Sequence, residues 1–76
     1  TTISFSMAEE GVVSLNVYDI SGRLINTLVN NNLPQGYHSV VWNGTDSDNI
    51  QVSAGVYFYT LDNGADVITN KMVLMK

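Results

Sequence analysis

The sequence contains no cysteine and few basic residues, and each scarcity excludes a class of protein. Without cysteine, the chain cannot be one of the small secreted scaffolds that disulfides hold together. Three Lys and Arg residues against seven Asp and Glu residues leave a net charge of −4, and a surface of that sign repels the phosphates of nucleic acids. No apolar run approaches the roughly 20 residues that cross a bilayer as a helix. We therefore expect neither a nucleic-acid partner nor a transmembrane segment.

The length of 76 residues restricts the chain to one domain, over residues 1–76. A domain of this size needs its apolar residues for its own core, which leaves few of them to line an enclosed active site. His38 is the sole histidine, so a zinc site would have to rely on carboxylates. No serine lies in a nucleophile elbow, and no acid/base pair can be assembled. We therefore predict that the chain is not an enzyme and needs no cofactor, with calcium as the one alternative.

Alternating apolar and polar residues predict β-strands along most of the chain. In the segment from Val12 to Asp19, for example, Val13, Leu15 and Val17 are expected to point inward. Further strands are predicted over residues 2–7, 37–42, 54–61 and 67–74. Gly, Asn and Asp clusters separate them, as in Asp62-Asn63-Gly64. Strands at this spacing predict an all-β fold, an immunoglobulin-like β-sandwich of about seven antiparallel strands.

The segment from Arg23 to Val29 is ambiguous. Its apolar residues Leu24, Ile25, Leu28 and Val29 follow a spacing that suits a helix. Seven residues are too few for a stable helix, however, unless packing supports it. The neighbouring turn signals and the β-branched content favour a strand with a bulge.

The segment from Ala54 to Leu61 is rich in β-branched and aromatic residues, and it is expected to be a central strand covered on both faces. Trp42 has the largest apolar side chain, so we expect it at the centre of the core together with Phe58. The residues that we predict to be structural are Gly22, Gly36, Trp42, Gly55, Tyr57 and Phe58.

Two sets of residues, one polar and one aromatic, are candidate ligand sites. The loop that follows Trp42 places oxygen side chains at alternating positions, as calcium loops do, and its candidate ligands are Asn43, Asp46 and Asp48, with Asn49 as an alternative to Asn43. It lacks the bidentate glutamate of an EF-hand, and Asp and Asn are also common in solvated turns. The aromatic residues would stack on a sugar if several shared an exposed face: Tyr18, Tyr37, Trp42, Tyr57 and Tyr59. In a domain this small, they are needed for packing instead.

A series of short motifs in a fixed order resembles two related families. The motifs are GVVSLNVYDISGR at residues 11–23, Leu28, GYH at 36–38, WNG at 42–44, SAGVYFY at 53–59 and KMVLMK at 71–76. Together they resemble the C-terminal sorting domain of type IX (Por) secretion substrates. They are also similar to the immunoglobulin-like domain of the flagellar hook-cap family, which occurs as a module in exported enzymes.

The resemblance implies a non-catalytic, C-terminal domain of a larger secreted protein. In the sorting-domain interpretation, secretion machinery proteins recognise the domain in the periplasm, and the preceding cargo, often a hydrolase, reaches the cell surface or the medium. The recognised element is then expected at the end of the chain: Lys71, Met72, Val73, Leu74, Met75 and Lys76. The alternative function is an accessory module of an exported enzyme, acting as a spacer, binding polysaccharide or stabilised by calcium.

Overall fold

The structure, a computed structural model, describes residues 1–75 and consists of six β-strands in two antiparallel sheets. The strands are β1 (Thr2–Met7), β2 (Gly11–Tyr18), β3 (Leu24–Leu33), β4 (Gly36–Val41), β5 (Gly55–Asp62) and β6 (Val67–Leu74). Strands β1 and β4 form one sheet, and the other sheet has the order β3-β2-β5-β6. The prediction of an all-β, immunoglobulin-like sandwich agrees with this arrangement.

The described residues form six strands rather than the predicted seven. The long connection between β4 and β5 contributes only an isolated bridge between Thr45 and Gln51. Its Asn, Asp and Gly residues favour turns over a continuous ladder. Of its apolar side chains, Val52 packs against the core, whereas Ile50 is exposed.

The core lies between the two sheets and follows the alternation of the sequence. Val13, Leu15 and Val17 of β2 are fully buried, and β1 contributes three further buried side chains at every second position. The buried apolar residues are Ile3, Phe5, Met7, Val13, Leu15, Val17, Trp42, Tyr57, Leu61, Met72 and Leu74. Because side chains of a strand alternate between its two faces, this pattern gives each sheet one apolar face.

Trp42 follows β4 directly and is only 1% exposed. Its indole Nε1 donates a hydrogen bond of 2.9 Å to the carbonyl oxygen of Thr45. The ring meets that of Tyr57 edge to face, with 5.1 Å between the ring centroids. The Tyr57 hydroxyl in turn donates to the carbonyl oxygen of Ser53, at 2.7 Å. The two rings therefore link the end of β4 to β5 and also satisfy their own polar atoms inside the core.

Strand β3 explains the helix-like spacing of its apolar residues. Its pairing with β2 skips one residue at Leu28 and another at Ile25. Each such bulge shifts the alternation by one position, so that neighbouring residues turn toward the same side. As a result Ile25, Leu28 and Val29 all pack against the core. The prediction of a bulged strand is confirmed, although the strand is longer than expected and ends at Leu33.

The prediction that Phe58 shares the centre of the core is wrong. Phe58 lies on the other face of β5 from Tyr57. On that face it pairs with Tyr18 of β2 on one side and with Lys71 of β6 on the other. It is half-buried among these neighbours. Strand β5 is central within its own sheet, as expected. Only the face that carries Tyr57 and Leu61 contributes to the buried core, so β5 is not covered on both faces.

The two sheets differ in width, and this difference creates the most open part of the sandwich. Two strands, β1 and β4, face four strands. Ile68 pairs with Leu61, so it lies on the inner face of β6, yet it is 46% exposed. The inner face of the larger sheet is therefore left partly uncovered beside β1.

Candidate functional site

A groove of about 210 Å³ lies between β1 and the first half of β6. One wall is formed by residues 3–6 of β1, and the floor by Tyr59 and Leu61 of β5. Ile68 and Asn70 form the opposite wall, and Asn70 Nδ2 donates a hydrogen bond of 3.1 Å to the Tyr59 hydroxyl. We call this feature the β1–β6 groove. The sequence did not reveal it, because it depends on which strand of one sheet lies over which strand of the other.

The backbone of β1 exposes hydrogen-bonding groups to this groove. Thr1 and Trp42 exchange two hydrogen bonds, from N to O at 3.1 and 2.8 Å. In an antiparallel pair, residues with such double bonds alternate with residues whose N–H and C=O groups point away from the partner strand. In the register of β1 and β4, the outward-pointing residues are therefore Thr2, Ser4 and Ser6. Their backbone groups face the β1–β6 groove, where a further strand would pair.

One end of the groove meets an acidic depression. This depression has a volume of about 310 Å³ and shares Asn63 with the groove. Its lining includes Glu9 and Glu10 of the β1–β2 turn and Asp66 of the β5–β6 turn, and it contains no Lys, Arg or His. The β1–β6 groove thus combines an apolar floor, free backbone groups and negative charge at one end.

Alternate side chains of the predicted recognition segment, residues 71–76, pack into the core. Met72 and Leu74 are 8% and 9% exposed and pack with the other core residues. Lys71, Val73 and Met75 are exposed, whereas Lys76 lies outside the described residues. Strand β6 is at the edge of its sheet, as expected for a lysine-containing strand. Because Met72 and Leu74 complete the core, the segment is not exposed as a whole, and its recognition by a partner stays a prediction.

The candidate calcium loop is organised by its own hydrogen bonds. One oxygen of the Asp46 carboxylate accepts from the backbone N–H groups of Asp48 and Ile50, at 2.9 and 3.0 Å. Asn43 Oδ1 accepts from the Thr45 hydroxyl. Within residues 1–75, no group of three or more His, Cys, Asp and Glu side chains is placed to hold a metal ion. The loop therefore has the contacts of an Asx turn, and whether calcium binds stays a prediction.

The five aromatic residues of the proposed sugar platform do not share an exposed face. Trp42 and Tyr57 are buried, Tyr18 and Tyr59 are half-buried, and Tyr37 is 75% exposed. His38 lies beside the ring of Phe5, with 5.6 Å between the ring centroids. Its Nε2 is 2.8 Å from the carbonyl oxygen of Pro34. These contacts are structural, and they bring no second reactive side chain to the histidine.

The predicted structural glycines lie at turns and strand starts. Gly22, with a φ of 85°, donates its N–H to the Asp19 carbonyl, while Gly36 and Gly55 open β4 and β5. Sequence reasoning missed Gly44. This glycine has a φ of 78°, and an added Cβ would lie 3.0 Å from Gln51 Nε2 and 3.1 Å from Leu74 Cδ2. The position therefore needs glycine both for its backbone and for close packing against β6.

No helix among the described residues is long and apolar enough to cross a membrane.

Comparisons with known proteins agree with this architecture. A sequence model described as the FlgD Ig-like domain matches residues 2–66. A solved structure titled as FlgD from P. aeruginosa superposes with a TM-score of 0.75 at 22% identity. That likeness covers 96% of this chain and 59% of the other, so the chain spans little more than half of the FlgD structure. No curated protein matches the sequence.

These matches correct the functional prediction. The type IX sorting function is wrong, because the matching sequence model and the matching structure are both of the FlgD type. The alternative of an accessory module in an exported enzyme is not supported either. The predicted partners, secretion machinery and a cargo domain, lose their basis for the same reason. The resemblance to the hook-cap family is the part that holds, and over 65 of its 76 residues the chain belongs to the FlgD Ig-like domain family.

Proposed function

We propose that this chain is a non-catalytic module of a larger, exported protein of the hook-cap type, and that it acts in assembly of the flagellar hook by binding hook subunits. The observation that carries the proposal is the family match over residues 2–66. The family is a structural, scaffold-type family that is generally non-enzymatic. The module acts outside the cytoplasm, where the hook grows.

The surface of the domain is consistent with a binding role. Trp42 and Tyr57 are used in the core, and His38 is held by structural contacts. The β1–β6 groove with its acidic end, in contrast, is open to a partner. Free strand edges are a common means of binding extended protein segments.

A direct binding measurement tests the proposal. The purified domain is titrated into monomeric hook subunits from the same organism and followed by calorimetry. We expect saturable binding, and we expect Trp42→Ala to weaken it because that variant is destabilised in its core and populates the folded surface less. The matched control is Tyr37→Ala, which alters an exposed aromatic residue away from the groove and should bind as the unmodified domain does. Absence of binding by the folded, unmodified domain would refute the proposal.

A further inference from the structure

We propose that an extended segment of a partner protein adds to the free edge of β1 as a third strand of the smaller sheet, with a Lys or Arg side chain at one end that reaches the acidic depression. The inference rests on the proposed binding function and identifies its surface and the chemistry of the partner. It begins from the backbone of β1. Thr2, Ser4 and Ser6 direct their N–H and C=O groups away from β4, at the spacing that a new strand requires.

The side chains around the groove determine which residues the segment should carry. Every second residue of an added strand would point inward, onto Leu61, Tyr59 and Ile68. Apolar residues at these positions would cover Ile68, which is 46% exposed. The intervening residues would lie on the solvent side, beside the exposed hydroxyls of Ser4 and Ser6. We therefore expect a segment of about six residues that alternates apolar and polar side chains.

The negative charge of the acidic depression determines which type of residue we expect at the end of the segment. The acidic depression continues the groove past the end of β1, and Glu9, Glu10 and Asp66 line it without a basic neighbour. The whole chain carries a net charge of −4. A basic residue of the partner would be attracted there, and an acidic one would be repelled. This charge complementarity favours a basic segment over a second copy of this acidic chain.

Peptide titration of the ¹⁵N-labelled domain tests the proposal. The probe is a capped peptide of alternating valine and threonine residues that ends in lysine, and the reference peptide ends in glutamate. We expect amide shifts centred on Ser4, Ser6 and Ile68, and binding of the glutamate peptide about three- to tenfold weaker. Shifts centred on β4 or on the outer face of β5 would overturn the proposal, and so would equal binding of the two peptides.

A pair of proline variants tests the edge itself. Ser4→Pro removes one outward N–H from β1 and leaves the bonds to β4 in place. Ser39→Pro is the matched control, because Ser39 is the directly opposite residue on β4 and its N–H points to the other edge of the sheet. We expect Ser4→Pro to weaken peptide binding about tenfold and Ser39→Pro to leave it unchanged. Equal effects of the two variants would refute the assignment, and if Ser4→Pro does not fold, the amide shifts of the unmodified domain decide.

The remaining outcomes separate this inference from the proposed function. If Ser4→Pro leaves the binding of hook subunits intact, the assignment of the β1–β6 groove as the binding site is refuted, but the proposed function is not. If the peptide binds at the groove but hook subunits do not bind, the proposed function is refuted, but the assignment of the groove is not. A dimer in sedimentation velocity that Ser4→Pro dissociates would show that a second copy occupies the edge, and this result would overturn the assignment of a basic partner.

Discussion

At the scale of single residues, Trp42 is the largest of the fully buried side chains that the structure describes. It is 1% exposed, it donates to the Thr45 carbonyl, and its ring contacts Tyr57. We predict that Trp42→Ala lowers the free energy of unfolding by about 3–5 kcal/mol. The Tyr37→Ala control should stay within about 0.5 kcal/mol of the unmodified domain. Urea unfolding followed by far-ultraviolet circular dichroism measures both, and a loss for Trp42→Ala as small as that of the control would contradict the prediction.

Asp19 is expected to make the stability of the domain depend on pH. The backbone N–H of Arg23 donates to the Asp19 carboxylate at 2.9 Å, and this hydrogen bond lowers the pKa of Asp19 below its usual 3.8, assisted by Ser21 N–H and by the Arg23 guanidinium. A carboxyl with a lowered pKa in the fold stabilises the protein above its ordinary pKa, and this contribution is lost as the pH falls through the folded value.

We therefore predict that Asp19→Asn lowers the urea midpoint at pH 7 and that the difference from the unmodified domain shrinks on acidification below about pH 4. Ser21→Ala is the control, because Ser21 contributes only its backbone N–H, which the substitution keeps. The measurement is urea unfolding at several pH values. A difference that is the same at pH 7 and in acid would show that the charge of Asp19 does not act as described.

Two glycines with similar φ differ in their surroundings, which allows strain and packing to be separated. An added Cβ meets nothing within 4 Å at Gly22, but it meets Gln51 and Leu74 at 3.0–3.3 Å at Gly44. We predict that Gly22→Ala costs about 1–2 kcal/mol from backbone strain. Gly44→Ala should cost about 1–3 kcal/mol more because of overpacking. Thermal or urea unfolding gives the comparison, and equal losses at the two positions would disprove it.

At the scale of elements, alternation made most strands predictable. Val13, Leu15 and Val17 were expected inward and are all fully buried. In β3 the alternation is broken twice, because two bulges bring Ile25, Leu28 and Val29 to one side, and this produces a spacing that mimics a helix. Phe58 could not be placed from the sequence. Both faces of β5 carry large residues, and only the position of the second sheet decides which face is inside.

Strand β6 provides a test of how an edge strand contributes to the core. Met72 is 8% exposed, whereas its neighbour Val73 is 55% exposed. We predict that Met72→Ala destabilises the domain by about 2–5 kcal/mol and that Val73→Ser changes stability by about 0.5 kcal/mol at most. Urea unfolding distinguishes the two variants. Similar losses would mean that β6 does not pack as described, and a small loss for Met72→Ala would show that its side chain does not stabilise the core.

At the scale of the whole molecule, the candidate binding site exists because a two-stranded sheet packs on a four-stranded one. Ser4 and Glu9 lie near the start of the sequence and Ile68 lies near its end, and no local motif connects them. The topology places Ser4 and Ile68 along the β1–β6 groove and Glu9 in the acidic depression at its end. For the same reason, the motifs indicated the right family, whereas the type IX function inferred from them was wrong. A shared fold requires the same turns and core residues whatever partner is bound.

The measurement that tests the central claim most directly is a count of hooks by electron microscopy. It is made on cells whose parent protein either lacks the domain or carries Trp42→Ala, with Tyr37→Ala as the control. If the folded domain acts in hook assembly, the first two strains will lack hooks or carry far fewer of them, and the Tyr37→Ala strain will carry the normal number. Normal hook numbers in cells without the domain would contradict the account.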